Sequence, residues 1–139
     1  MDRRVQLLCA WCGPAFLLLF LLGFWVIAGL VPPPSANDTA SQIADFYRAN
    51  ADQLRVGLLL LLIGAPLLVP FVVLLAVQLK RSDPRIAPLA YIQLLCGVVT
   101  MLELLLPVVL MATAAFRPER SPESIQLLND AAFTILIWA

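Results

Sequence analysis

Hydrophobic residues form three long segments of the chain, and shorter polar stretches separate them. About 20 apolar residues are enough to cross a bilayer as a helix. The pattern therefore predicts membrane spans at about residues 5–31, 56–79 and 86–116. A fourth apolar run begins at residue 131 and stops at 139, too short to cross as a helix. We expect it to be the start of a fourth span whose remainder lies outside this sequence.

The polar stretches predict the loops and the orientation of the chain. Residues 32–55 and 117–130 form two longer loops, and residues 80–85 form a tight turn. The N-terminus and this turn share one side of the membrane and hold five Lys/Arg residues, whereas the two longer loops hold four. Because positively charged loops stay inside, the N-terminus is predicted to be cytoplasmic and the longer loops to lie outside.

Each outer loop contains the signals of a short helix. Thr39 and Gln42 have the spacing of a capping box, and the helix that follows places Ile43, Phe46 and Tyr47 on one side. This amphipathic face would lie at the membrane interface or on a partner. Alternatively, the segment is a solvated turn that leads into the next span. In the second loop, Ser121 followed by a proline is typical of a helix start.

The two outer loops resemble each other when the sequence is shifted by 82 residues, which places Ile43 over Ile125. This match indicates two related helix–loop–helix hairpins, although similar capping chemistry could arise independently. The predicted fold is an all-α integral membrane protein with a single transmembrane domain over residues 1–139. It is a four-helix transmembrane bundle of two hairpins, with the fourth helix incomplete and short amphipathic helices in the outer loops.

Composition supports a membrane protein and excludes several functions. The chain of 139 residues is 62% hydrophobic and 13% charged, which is more apolar surface than a soluble domain of this length can bury. The expected environment is a lipid bilayer.

Charge and residue types exclude several functions. A formal net charge of zero provides no basic surface for binding nucleic acid. The chain has no histidine, the commonest general base and metal ligand. We predict no catalytic set, no cofactor and no metal site.

The third span carries one charged side chain, Glu103, near its middle. A carboxyl group at bilayer depth is a functional-site hypothesis by default. At helical spacing it shares a face with other polar or small positions, which we call the polar seam: Gln93, Cys96, Thr100, Glu103 and Pro107. Glu103 could be a neutral acid hydrogen-bonded to Thr100 or a neighbouring helix, a contact for another subunit, or part of a proton or cation path.

The second span is interrupted by Pro66 and Pro70. Each proline leaves the carbonyl four residues earlier without its helical donor, which predicts kinks at these two positions. The alternative is a broken helix that lines a binding site.

Cys9 and Cys12 form a CxxC pair in the first span. In small four-helix thiol oxidoreductases of the membrane, such a pair passes electrons to a quinone and takes them from a second pair. Neither outer loop of this chain has a second pair. The alternative is two small apolar residues in a packing surface.

Three segments carry a family resemblance: residues 32–34, 43–47 and 80–85. Their order, a proline-rich exit, a short helix with an aromatic pair and a basic turn, resembles uncharacterised multi-pass proteins of high-GC, actinobacterial-type bacteria. The resemblance implies a bacterial inner membrane. It implies no activity, cofactor or catalytic residue.

These observations favour a non-enzymatic accessory or scaffold subunit that packs against other subunits of a larger membrane complex. The alternative is a small transporter or lipid- or ion-handling protein that uses Glu103. A third possibility is a membrane thiol oxidoreductase that uses Cys9 and Cys12.

Overall fold

The structure, a computed structural model, describes residues 2–35, 37–82, 85 and 87–138, and the regular structure in these residues is helical. Asp83 and Pro84 of the predicted inner turn lie outside the described residues, as do Ile86 and Ala139 at the ends of predicted spans. The elements in chain order are α1 (Arg3–Leu21), a π-helical segment (Leu22–Ile27), α2 (Ala40–Ala49), α3 (Ala51–Gly64), a 3₁₀ turn (Ala65–Leu67), α4 (Leu68–Ser82), α5 (Ala87–Phe116) and α6 (Pro122–Trp138).

Three helical stretches in the described part of the chain are long and apolar enough to cross a membrane: Arg3–Ile27, Ala51–Ser82 and Ala87–Phe116. The first ends four residues before the predicted limit of residue 31. Gly29 has a φ of 61° in the left-handed region, a conformation that ends helices and that glycine adopts without a steric penalty. The apolar residues after it therefore continue as loop, although their hydropathy matches that of the span.

The second span consists of α3 and α4, joined by the 3₁₀ turn that contains Pro66. Pro70, in the first turn of α4, has no N–H to donate to the carbonyl of Pro66. The Leu68 N–H donates to the carbonyls of Ala65 and Pro66 instead. The tightened turn thus satisfies this carbonyl within the chain, as a backbone group in lipid requires.

The second span packs against both other spans, and its backbone comes close to that of the first span near the end of the first span. At that crossing, a Cβ added to Gly57 would lie 2.5 Å from the Gly23 carbonyl oxygen and 2.7 Å from the Ala28 Cβ. Small residues permit such close packing between membrane helices. The crossing therefore depends on glycine at position 57.

The packed core lies toward the end of the spans that carries the two longer loops, which we call the outer end after its predicted side of the membrane. It combines the end of the first span, α3, the second half of α5 and the two outer helices. Its fully buried members include Leu54, Leu58 and Met111. Helix α2 begins with the predicted capping box, in which the Thr39 hydroxyl accepts from the Gln42 N–H and the Gln42 side chain accepts from the Thr39 N–H. Its apolar face covers this core.

Helix α6 begins at Pro122, the helix start predicted from Ser121 and the proline that follows it, and runs without interruption to Trp138. The predicted outer helix and the fourth apolar run are therefore one helix of 17 residues. It is not among the three stretches of the described chain that are long enough to cross a membrane. The fourth span, and with it the four-helix bundle, stays a prediction.

We expect Gly57→Ala to lower the free energy of unfolding in detergent by about 1–3 kcal/mol, because the new methyl group overlaps backbone atoms that cannot turn away. Gly64→Ala is the matched control, since its Cβ would meet only the Leu19 side chain, at 3.2 Å. Thermal or SDS-induced unfolding followed by circular dichroism measures both. Equal stability of the two variants would contradict the proposed crossing.

Candidate functional site

The five positions of the polar seam lie along α5, but the structure gives them different surroundings. Pro107 is buried, Gln93 and Glu103 are half-buried, and Cys96 and Thr100 are exposed. The outer end of the seam therefore belongs to the packed core, while its middle is open. We call Cys96, Thr100 and Glu103 the open polar face.

Glu103 lies between three and four turns below the outer end of α5, about 20 Å along the helix from Phe116. Within the described residues its carboxylate makes no hydrogen bond and no ion pair, and the bond to Thr100, one of the alternatives that the sequence left open, is not formed. Pro107 lies within α5 and has no N–H to give to the Glu103 backbone carbonyl. One turn of α5 thus offers a carboxyl group and a backbone carbonyl, both of which are acceptors.

Gln93, at the inner end of the seam, points into the protein. Its Oε1 atom is buried and has no hydrogen-bond partner among the described residues. One turn further along, α5 approaches α4 so closely that a Cβ at Gly97 would overlap the Val72 side chain. This part of the seam is therefore oriented toward α4 rather than toward the membrane.

The predicted amphipathic face of α2 is covered by the chain itself. Ile43 and Tyr47 are almost fully buried, Phe46 is half-buried, and α2 packs on α6. The sequence assigned this face to the membrane interface, to a partner or to solvent. It could not indicate α6 because the two helices lie about 80 residues apart in the chain.

Two arginines fix the outer loops to each other, and sequence reasoning did not identify them. The Arg55 guanidinium donates to the carbonyls of Ala115 (3.1 Å) and Phe116 (3.2 Å), at the C-terminus of α5. Arg48 donates to the carbonyl of Pro118 (2.9 Å) in the following turn. A cation at a helix C-terminus also interacts favourably with the helix dipole.

Each of these arginines is held by an aspartate three residues earlier. Arg48 pairs with Asp45 at 3.3 Å, and Arg55 pairs with Asp52 at 3.1 Å. The sequence signal is a D-x-x-R pattern that occurs twice, once in α2 and once in α3.

A buried hydrogen bond joins the two outer helices. The Tyr47 hydroxyl donates to Asn129 Oδ1 at 3.2 Å, and the Asn129 amide donates to Asp130 at 3.3 Å. The two bonded residues are separated by 82 positions, the shift that aligns the two loops in sequence. Burial, and to a lesser extent the negative charge of Asp130, raise the pKa of Tyr47 well above its usual range.

Beside this hydrogen bond lies an outer cleft of about 540 Å³ between the start of the first loop and α6. Its lining residues are Pro33, Pro34, Ser35, Asn129, Asp130, Phe133, Thr134 and Ile137.

Cys9 and Cys12 lie within α1, and both are half-buried free thiols. The Cys12 thiol donates to the carbonyl of Leu8 at 3.2 Å, which is a bond within the helix. Among the described residues, no group of three or more His, Cys, Asp or Glu side chains could hold a metal ion.

We expect Arg55→Gln to lower the free energy of unfolding by about 1 kcal/mol, because the half-exposed guanidinium loses its charged bonds to two carbonyls. Arg117→Gln is the matched control, since Arg117 is exposed and its side chain makes no hydrogen bond among the described residues. Unfolding in detergent measures both variants. A loss for Arg117→Gln as large as that for Arg55→Gln would contradict a specific role for Arg55.

We expect the stability of the protein to fall as the pH rises above about 10, where a tyrosine in the unfolded chain ionises. The raised pKa keeps Tyr47 protonated in the folded state. The contribution of Tyr47 to the free energy of unfolding is therefore complete below about pH 10 and decreases above it, by at most about 1.4 kcal/mol per pH unit.

Tyr47→Phe should remove this part of the pH dependence. At neutral pH it should lower stability by about 1 kcal/mol, since Asn129 Oδ1 loses its donor. Tyr91→Phe, which removes an exposed hydroxyl bonded only to the exposed Lys80 side chain among the described residues, is the control for the effect of burial at neutral pH. An unchanged alkaline slope in Tyr47→Phe would contradict the assignment.

Comparison with known proteins identifies the family of this chain. No curated protein and no solved structure is significantly similar to it. A family model described as DUF4386, a domain of unknown function, matches residues 12–138, which is most of the chain. With its three apolar helices, the protein therefore belongs to the DUF4386 family.

Proposed function

We propose that this protein is a non-enzymatic accessory subunit of a larger membrane complex, and that the open polar face of α5 is its contact with a neighbouring subunit. The observation that carries the proposal is Glu103. A carboxyl group at bilayer depth without a partner among the described residues is energetically unfavourable. A donor from another subunit would remove this penalty.

The position of the open polar face supports a helix as the partner. The same side of α5 is covered further out, where Pro107, Ala114 and Ala115 are buried in the core. Below this level Cys96 and Thr100 are exposed. The face therefore continues a packed surface along α5, and its small polar residues let a helix approach closely.

The chemistry of the face also supports a membrane-embedded partner. The carboxyl group and the backbone carbonyl of Glu103 both accept hydrogen bonds, and Thr100 both donates and accepts. Hydrogen bonds between helices stabilise association in lipid by about 1–2 kcal/mol in model peptides. The expected partner is a transmembrane helix that presents a donor such as Ser, Thr, Asn, Gln or a cation at the depth of Glu103.

Site-directed photo-crosslinking in cells tests the contact. A photo-reactive residue at Thr100, on the open polar face, should give a discrete product with one membrane protein. The same residue at Leu102 is the matched control, because Leu102 is exposed on a different side of α5. Products that are identical from both positions, or lipid products only, would contradict the proposal.

Substitution of Glu103 tests the role of the carboxyl group. We expect Glu103→Leu to weaken association with the cross-linked partner about tenfold, which corresponds to about 1.4 kcal/mol. Glu103→Gln should retain most of the association, since the amide still forms hydrogen bonds. Glu119→Gln, in the exposed outer turn, is the control.

The readout is the mass of the gently solubilised particle and the amount of partner that it contains. A small homo-oligomer of this chain alone, whose Glu103→Gln variant assembles but loses ion flux, would instead support the transport alternative.

A further inference from the structure

A groove at the other end of the molecule lies between α4 and α5. It has a volume of about 200 Å³, and its walls are almost wholly apolar. Small side chains, Ala76 and Ala90, let the groove form between two closely packed helices. The lining residues are Val73, Ala76, Val77, Lys80, Ala90, Tyr91 and Leu94.

Two of the lining residues, Lys80 and Tyr91, carry polar groups at the edge of this groove, near the ends of α4 and α5 that meet there. The Lys80 ammonium donates to the Tyr91 hydroxyl at 3.1 Å and lies 5.3 Å from the centre of the ring. An ammonium group has three donors, so two remain, and the phenol proton is also free to be donated. Among the described residues, no carboxylate pairs with Lys80. The groove therefore ends in a cluster of donors that lacks an anion.

The location of these donors matches the level of lipid headgroups. Lys80 lies in the last turn of α4, which ends at Ser82. Residues 1–4 and 80–85 at this end of the spans hold five Lys/Arg residues and two aspartates. Basic pockets between transmembrane helices at such positions bind anionic headgroups.

We propose that this groove binds an anionic phospholipid from the leaflet at the basic end of the molecule. An acyl chain fills the apolar slot between α4 and α5, and the phosphate accepts from the Lys80 ammonium and the Tyr91 hydroxyl. The charge of the cluster selects an anionic lipid over a zwitterionic one. This site is separate from the open polar face, and it does not depend on the proposed subunit contact.

Native mass spectrometry of the full chain tests the proposal in detergent with equal amounts of phosphatidylglycerol and phosphatidylcholine. The wild-type protein should retain more phosphatidylglycerol. Lys80→Gln should lower its retention about fivefold, the effect of one basic residue near an anionic surface. Arg81→Gln is the matched control, since Arg81 is exposed on the same turn but does not line the groove, and its effect should be less than twofold.

A second pair of measurements separates the acyl slot from the headgroup cluster. Ala76→Phe should fill the slot and reduce retention although Lys80 is intact. Millimolar inorganic phosphate should not displace the bound lipid. Equal retention of both lipids, or equal effects of Lys80→Gln and Arg81→Gln, would overturn the proposal. Displacement by phosphate would also overturn it, because the cluster would then be a site for a free anion.

Discussion

Lipid tails are as apolar as leucine side chains, so the hydrophobic effect does little to bring the spans of this protein together. What determines their arrangement is where backbones can approach and where polar groups find partners. The close backbone approach occurs at the Gly23–Gly57 crossing, where each glycine lies against backbone atoms of the other helix. The polar groups find partners in the outer hydrogen bonds: Arg55 caps the C-terminus of α5, and the Tyr47–Asn129 bond joins α2 to α6.

Both kinds of contact are concentrated toward the outer end, and this distribution explains the shape of the core. The largest fully buried side chains, such as Tyr47, Leu58 and Met111, all lie there. The middle of α5 is less covered by other helices, so the residues of the polar seam are buried to different extents along the helix. Pro107 is enclosed at the level of the core, whereas Thr100, two turns lower, is exposed.

Much of this architecture could be predicted from the sequence because the determinants are local. Apolar segments of sufficient length indicate spans, and Thr39 with Gln42 indicates the start of α2. Contacts between distant segments could not be predicted in this way. Helical periodicity defines the polar seam as one face, but it does not say which helix covers each level. Arg48 and Arg55 bind backbone carbonyls, which every residue has. The residue types of that turn therefore do not indicate that it binds arginine.

The 82-residue shift is the one long-range relation that the sequence does reveal, and the structure shows what it relates. Helices α2 and α6 begin at residues 40 and 122, and Ile43 and Ile125 are both buried in the core. Equivalent positions also meet directly, at Tyr47 and Asn129. The Tyr47–Asn129 bond therefore joins α2 and α6 at positions that the 82-residue shift aligns, and it links the two loops within the packed core.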